Sequence, residues 1–99
     1  MLVCVAGMST SLLVSKMQKV AQEKNVDAHI FAVAENEVDK VLAIEDVHVL
    51  LLGPQVRYLK ATFEDKYKEH KFPIDTIAMV DYGMMNGDNV LNHALKLIG

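Results

Sequence analysis

Short apolar runs alternate with one-sided helical stripes along the whole chain. Leu2–Val5 is the first apolar run. From Ser9 to about Lys24, Leu13, Met17, Val20 and Ala21 recur at helical spacing, with Lys16, Gln18, Lys19, Gln22 and Glu23 opposite them. Asn25 is the expected stop. His29–Val33 predicts a second strand, and Glu35–Ala43 a short helix with Val38, Val41 and Leu42 on its apolar side. Val47–Leu52 is nearly all apolar, as suits a parallel strand covered on both faces. Gly53-Pro54 ends it, and proline is well placed in the first turn of the helix predicted over Gln55–Glu69. That helix presents Val56, Leu59, Phe63 and Tyr67. Phe72-Pro73 is a break, Ile74–Val80 predicts a fourth strand, and Asp81–Gly87 a loop. The last helix, about Asp88–Ile98, carries Val90, Leu91, Ala94, Leu95 and Ile98 as one stripe.

Strands and helices alternating through such short connections predict an α/β fold, a parallel sheet with helices on both faces. Ligands then bind beyond the carboxyl ends of the strands. Three loops gather on that rim: Val5–Thr10, Gly53–Gln55 and Asp81–Gly87. Strand order does not follow from periodicity. The 99 residues predict a single domain over 1–99, and a hydrophobic share of 52% suffices for a core.

Charge narrows the partners. A net charge of −3 lacks the basic footprint of a general nucleic-acid binder. The apolar runs fall far short of the roughly 18 residues of a membrane span. No signal peptide is visible, because Met1-Leu2-Val3 runs straight into Cys4. One cysteine makes no internal disulfide, CxxC pair or zinc cluster, which fits a reducing cytoplasm. His29, His48, His70 and His93 have no ligand spacing, so neither a metal nor a cofactor is expected.

Cys4 supplies the candidate chemistry. It leaves the first strand and enters Val5-Ala6-Gly7-Met8-Ser9-Thr10-Ser11, which opens a helix. Small residues let amide N–H groups converge there, and the positive end of the helix dipole adds to them, giving an anion pocket with a nucleophile at its edge. A thiol in that place loses its proton more readily, and the thiolate is the reactive form. The segment also fits an ordinary helix start with a serine cap, with Cys4 a small buried hydrophobe. It is not a nucleotide P-loop, which needs GxxxxGK[ST]. A cysteine phosphatase loop places arginine after five intervening residues, and here that position holds Thr10. The only arginine is Arg57, outside the loop, so the bidentate clamp on a transferring phosphoryl group is missing. A phosphatase needs strong transition-state charge stabilisation, a leaving-group acid and a placed water. A carrier holds the phosphoryl group through backbone and hydroxyl groups and passes it on.

Cys-Val-Ala-Gly-Met-Ser-Thr-Ser-Leu-Leu-Val (4–14) resembles the active-site segment of the enzyme IIB component of bacterial sugar phosphotransferase systems, lactose/cellobiose type. Leu-Leu-Gly-Pro-Gln-Val (51–56) and Asp-Tyr-Gly-Met-Met-Asn-Gly (81–87) resemble that family's other two recurrent segments. The match runs over essentially the whole chain. One departure is that this chain begins directly in the first strand, without the short basic lead such proteins often carry.

The resemblance implies a four-stranded parallel sheet in the order 2-1-3-4, similar to the low-molecular-weight tyrosine phosphatase fold. It implies that Cys4 accepts a phosphoryl group from a phosphohistidine of a IIA partner and donates it to a sugar held by a membrane-embedded IIC partner. The sugar is a β-linked disaccharide of cellobiose, chitobiose or lactose type. The chain is then a cytoplasmic monomer, held at the inner face of the membrane through IIC. Amides from Ala6, Gly7, Met8, Ser9, Thr10 and Ser11 are expected to hold the phosphate oxygens, helped by the three hydroxyls.

Four rim residues complete the candidate site. The Tyr82 hydroxyl reaches the rim, or its ring packs beneath the loop. Asp81 is a general acid in a phosphatase, but in a carrier it organises its own loop. Gln55 contacts the pocket or caps a helix. Met84, with Met8 and Met85, forms an apolar collar for transient partners or belongs to the core; Met17 and Met79 are expected in the core. Glu35, Glu37, Asp39, Glu45 and Asp46 are expected on a solvated face. Two other classes compete with the carrier: a small cysteine phosphatase or arsenate-reductase-like enzyme, and a non-catalytic domain that only senses phosphate.

Overall fold

Side chains that alternate along very short strands give a sheet buried on both faces. The computed structural model describes residues 1–4, 8–70 and 72–98, with Cys4, Met8 and Ser9 through their backbone alone. Strands β1 (Leu2–Cys4), β2 (Ala32–Ala34), β3 (Leu50–Leu52) and β4 (Ile74–Thr76) form one all-parallel sheet in the order β2-β1-β3-β4. This is the order the family resemblance implies. Val3 pairs with Val33 on one side and Leu52 on the other, and Leu51 pairs with Asp75.

The alternation decides which helices cover which face. Leu2 and Leu51 join Leu13, Val14, Met17 and Ala21 of helix α1 (Met8–Glu23) and Val90, Leu91 and Ala94 of helix α5 (Gly87–Ile98). Val3, Leu50, Leu52 and Ile74 face the other way. They meet Val38 of helix α2 (Val38–Ile44), Phe63 of helix α3 (Lys60–Lys66), Val56 and Tyr67. Helix α4 (Met79–Gly83) lies between β4 and α5 in sequence and contributes Tyr82 to the first of these clusters.

The predicted stops hold, and so do the stripes apart from Ile98, which is 51% exposed at the end of α5; several boundaries move. Asn25 ends α1 with φ of 57°. The N–H groups of Val26 and Asn25 donate to the carbonyls of Ala21 and Gln22, a Schellman closure. The first strand was expected to reach Val5, which lies outside the described residues. The second strand is shifted from His29–Val33 to Ala32–Ala34, where Leu2–Cys4 offers partners. The third is shortened from Val47–Leu52 to Leu50–Leu52. Its neighbour across the pair, Ile74, begins only after Pro73.

The helix predicted over Gln55–Glu69 is broken. Pro54–Leu59 forms a 3-10 segment with Val56 outside helical geometry (φ −119°, ψ 22°), α3 follows, and Lys68–His70 is a further 3-10 turn. Its apolar stripe survives the breaks, since Val56, Phe63 and Tyr67 are buried.

The largest correction concerns Ile74–Val80. Only Ile74–Thr76 is strand, because β3 ends at Leu52 and offers no further ladder; Ile77 N–H donates to the Leu52 carbonyl and the chain then turns into α4. Met79, expected in the core, is 63% exposed. Tyr82 and Gly83, expected in a loop, belong to α4, and Gly87, also placed in that loop, opens α5. Asp39 lies on the solvated face expected of it and there accepts hydrogen bonds from Tyr67 Oη (2.7 Å) and Lys66 Nζ (3.1 Å), tying α2 to α3. Among the described residues, no helix is long and apolar enough to cross a membrane.

Candidate functional site

Parallel strands place all their carboxyl ends on one rim, so the segments after β1, β3 and β4 face the same side. Cys4 is the last residue of β1, in register with Ala34 of β2. Helix α1 opens at Met8, and its first turn carries no acidic residue to oppose an anion. The expected amide donors Ala6 and Gly7 lie outside the described residues, as do the side chains of Cys4, Met8 and Ser9. Thr10 and Ser11 stand in the opening turns of α1, Thr10 buried and Ser11 exposed.

Thr10 is where the structure becomes informative. It is 1% exposed and is the buried polar side chain among the described residues. Its Oγ1 lies 3.2 Å from Tyr82 Oη in a buried hydrogen bond. Tyr82 therefore packs its ring in the core cluster, and its hydroxyl reaches the first turn of α1. Helix α4 holds it there. The N–H groups of Asn86 and Met85 donate to the Asp81 and Tyr82 carbonyls, closing α4 as Asn25 and Val26 close α1. Met85 takes φ of 52° for this, a conformation that side chains other than glycine seldom adopt.

Asp81 is engaged elsewhere. Its Oδ1 accepts from Asn89 Nδ2 at 3.1 Å, while Asn86 Oδ1 accepts from the Asn89 N–H and caps α5. The carboxylate thus links α4 to α5. Gln55 is exposed and shares an open depression with Pro54, Arg57, Tyr58, Met79, Tyr82 and Gly83. It makes no helix cap, since Gly53 starts that segment without side-chain bonding.

The apolar collar is rearranged. Met84 is 74% exposed, whereas Met85 packs partly buried against the core. Leu12, Tyr58, Met79 and Val80 are also exposed, each in a segment that follows a strand's carboxyl end. Sequence reasoning missed these four. The run Ile74–Val80 is so apolar that it gives no sign of turning outward; Leu12 and Tyr58 lie off the stripes of their own segments, which is the signal that would have exposed them. Among the described residues, no group of three or more His, Cys, Asp or Glu side chains could hold a metal ion.

Comparison with known proteins bears on this arrangement. The profile of the family described as "PTS system, Lactose/Cellobiose specific IIB subunit" matches residues 1–93. The galactose-specific EIIB component of Lactococcus lactis subsp. cremoris is 50% identical over 100 aligned positions, covering 98% of this chain and 93% of that protein. The cellobiose-specific EIIB component of Lactococcus lactis subsp. lactis is 49% identical over the same coverage. The oligo-beta-mannoside-specific EIIB component of Bacillus subtilis is 35% identical, covering 99% of this chain and 93% of that protein. The solution structure of the cellobiose-specific phosphotransferase IIB component protein from Borrelia burgdorferi superposes with a TM-score of 0.76 at 43% identity, covering 98% of this chain and 87% of that one. The chain belongs to the lactose/cellobiose-specific IIB subunit family of the sugar phosphotransferase systems.

Proposed function

From that membership we propose that the chain is a phosphoryl carrier whose nucleophile is Cys4. The thiolate attacks the phosphorus of a phosphohistidine on the IIA partner. An S–P bond forms, the N–P bond breaks, and the imidazole leaves with the electron pair. In the second step a sugar hydroxyl at the IIC transporter attacks the same phosphorus. The S–P bond breaks, the hydroxyl proton is lost, and the thiolate is regenerated. The phosphate oxygens are held by amides of residues 6–11 and by the hydroxyls of Ser9, Thr10 and Ser11. No cofactor takes part.

The observation that carries this reading is the placement of Cys4 and Thr10. Cys4 ends β1 on the rim, and a buried, neutral Thr10 occupies the place where a phosphatase loop has arginine. A guanidinium there would stabilise the charge that builds up during hydrolysis. A hydroxyl binds oxygen without that charge, which favours a phosphocysteine that waits for its acceptor. The pairing of Asp81 with Asn89 further disfavours the phosphatase alternative, whose leaving-group acid it would have to be.

Leu12, Tyr58, Met79, Val80 and Met84 supply apolar contact area for IIA and IIC in turn, each through a small transient interface. The chain works as one domain and as a monomer in the cytoplasm, meeting the membrane through IIC. A β-linked disaccharide as the sugar is in line with the relatives named for cellobiose and oligo-beta-mannoside, whereas the relative at 50% identity is named for galactose. Cys4→Ser tests the assignment in a reconstituted system of IIA, IIC, a β-linked disaccharide and phosphoenolpyruvate-driven donors. Sugar phosphorylation is lost and the near-ultraviolet dichroism of the folded chain is retained; undiminished phosphorylation overturns the reading.

A further inference from the structure

The Thr10–Tyr82 hydrogen bond spans 72 residues of sequence and joins the first turn of α1 to α4. We infer that Tyr82 is a positioning residue for phosphoryl transfer, acting through the Thr10 hydroxyl on the anion pocket; this rests on the carrier reading of Cys4.

Packing does not ask for either hydroxyl. The Tyr82 ring sits with Leu13, Met17, Val90 and Leu91, and phenylalanine would fill that place with no polar atom to satisfy. Thr10 is fully buried, where the isosteric valine would also fit. Two buried hydroxyls facing each other are retained at the cost of desolvating both, and replacing the pair by apolar groups of the same shape would be nearly neutral for stability. Their value therefore lies in what they donate to.

The proton count shows what that is. The two hydroxyls carry two protons, and the bond between them uses one. With Tyr82 as donor, the Thr10 proton is directed away from the tyrosine, and accepting a hydrogen bond makes Thr10 a stronger donor. Thr10 lies six residues after Cys4, in the turn that opens α1. A phosphoryl oxygen bound at that helix start is the acceptor its proton matches. Tyr82 thus replaces a charged clamp by a polarised neutral donor.

Helix α4 is built to hold the tyrosine still. Its carboxyl end is closed by bonds to the Asp81 and Tyr82 carbonyls, and the Asp81 side chain is tied to Asn89 of α5. Met85 adopts φ of 52° to make that closure, so the position of Tyr82 is held against local backbone preference.

The test is rapid-quench transfer from phosphorylated IIA to the wild type and to Tyr82→Phe, Thr10→Val, Thr10→Ser and the Tyr82→Phe/Thr10→Val double variant, with the phosphocysteine ³¹P resonance and the thermal midpoint of each. Tyr82→Phe slows transfer about tenfold and moves the ³¹P resonance, the loss expected of one hydrogen bond realised in transfer. The double variant is no slower than Thr10→Val alone, and Thr10→Ser retains most of the rate. Wild-type transfer and an unmoved ³¹P signal in Tyr82→Phe, or losses that multiply in the double variant, overturn this inference and leave the carrier standing. A wild type that never acquires a phosphoryl group overturns both.

Discussion

A Cβ on Gly87 would stand 2.9 Å from the backbone nitrogen of Met17 and 2.8 Å from the carbonyl carbon of Lys16, so α5 begins flush against the backbone of α1. This close approach seats the stripe of α5 on the same cluster that holds Tyr82. Gly83, in α4, meets nothing within 4 Å. The two glycines therefore predict opposite outcomes. Gly87→Ala forces the helices apart and lowers stability by about 1–3 kcal/mol. Gly83→Ala improves the helix and raises it by roughly 0.5–1 kcal/mol. Denaturant titration of both variants checks the pair.

Asp75 ties three elements together at the edge of the sheet. It accepts the Thr76 N–H at 2.8 Å, lies 2.8 Å from His93 Nε2 on α5 and 3.4 Å from Lys60 Nζ on α3. Burial pushes its pKa up, but the Thr76 N–H, His93 and Lys60 together hold it below the usual value of 3.8. A carboxyl whose pKa is lower in the folded state stabilises the fold above its unfolded pKa, and that contribution is lost as pH falls through the folded value. The wild type therefore loses stability below pH about 4 more steeply than Asp75→Asn does. Unfolding free energies measured from pH 5 to pH 2 show the difference, and parallel curves would contradict it.

The exposed methionines of the rim separate docking from folding. Met79 and Met84 are 63% and 74% exposed, so neither contributes much to the core. Met79→Ala/Met84→Ala leaves unfolding free energy within about 0.5 kcal/mol of wild type. The same variant raises the KM for phosphorylated IIA about tenfold, the scale of losing apolar anchors at a small interface. An unchanged KM with a large stability loss would put both residues back in the core.

Much of this architecture was legible because local chemistry and tertiary packing agree. Asn25 stops α1 because it tolerates the left-handed backbone that the closure needs, and the stripes of α1 and, up to Leu95, of α5 match their buried faces. Where no local rule operates, the reading fails. Nothing in Ile74–Val80 shows that β3 ends at Leu52 and leaves the later residues without a partner strand. Met85 takes a backbone usually left to glycine or asparagine, so the residue that closes α4 carries no sign of it. Val56 breaks a helix whose apolar stripe is intact.

The candidate site divides in the same way. The segment from Cys4 to Ser11 stood out because small residues and hydroxyls at a strand-to-helix turn have a direct chemical meaning, and residues 5–7 of it lie outside the described residues. The bond between Thr10 and Tyr82 did not stand out, since only the sheet order and the packing of α1 against α5 bring residues so distant in sequence together.

The most direct test of the carrier is the intact mass of the chain after incubation with phosphoenolpyruvate, the general phosphotransferase proteins and a matching IIA. A gain of one phosphoryl group, about 80 Da, that persists for minutes and is absent in Cys4→Ser is the predicted result, since a thiolate at a helix start is the reactive form. A chain that stays unmodified, yet hydrolyses an aryl phosphate in a Cys4-dependent manner, would contradict the account and identify a phosphatase.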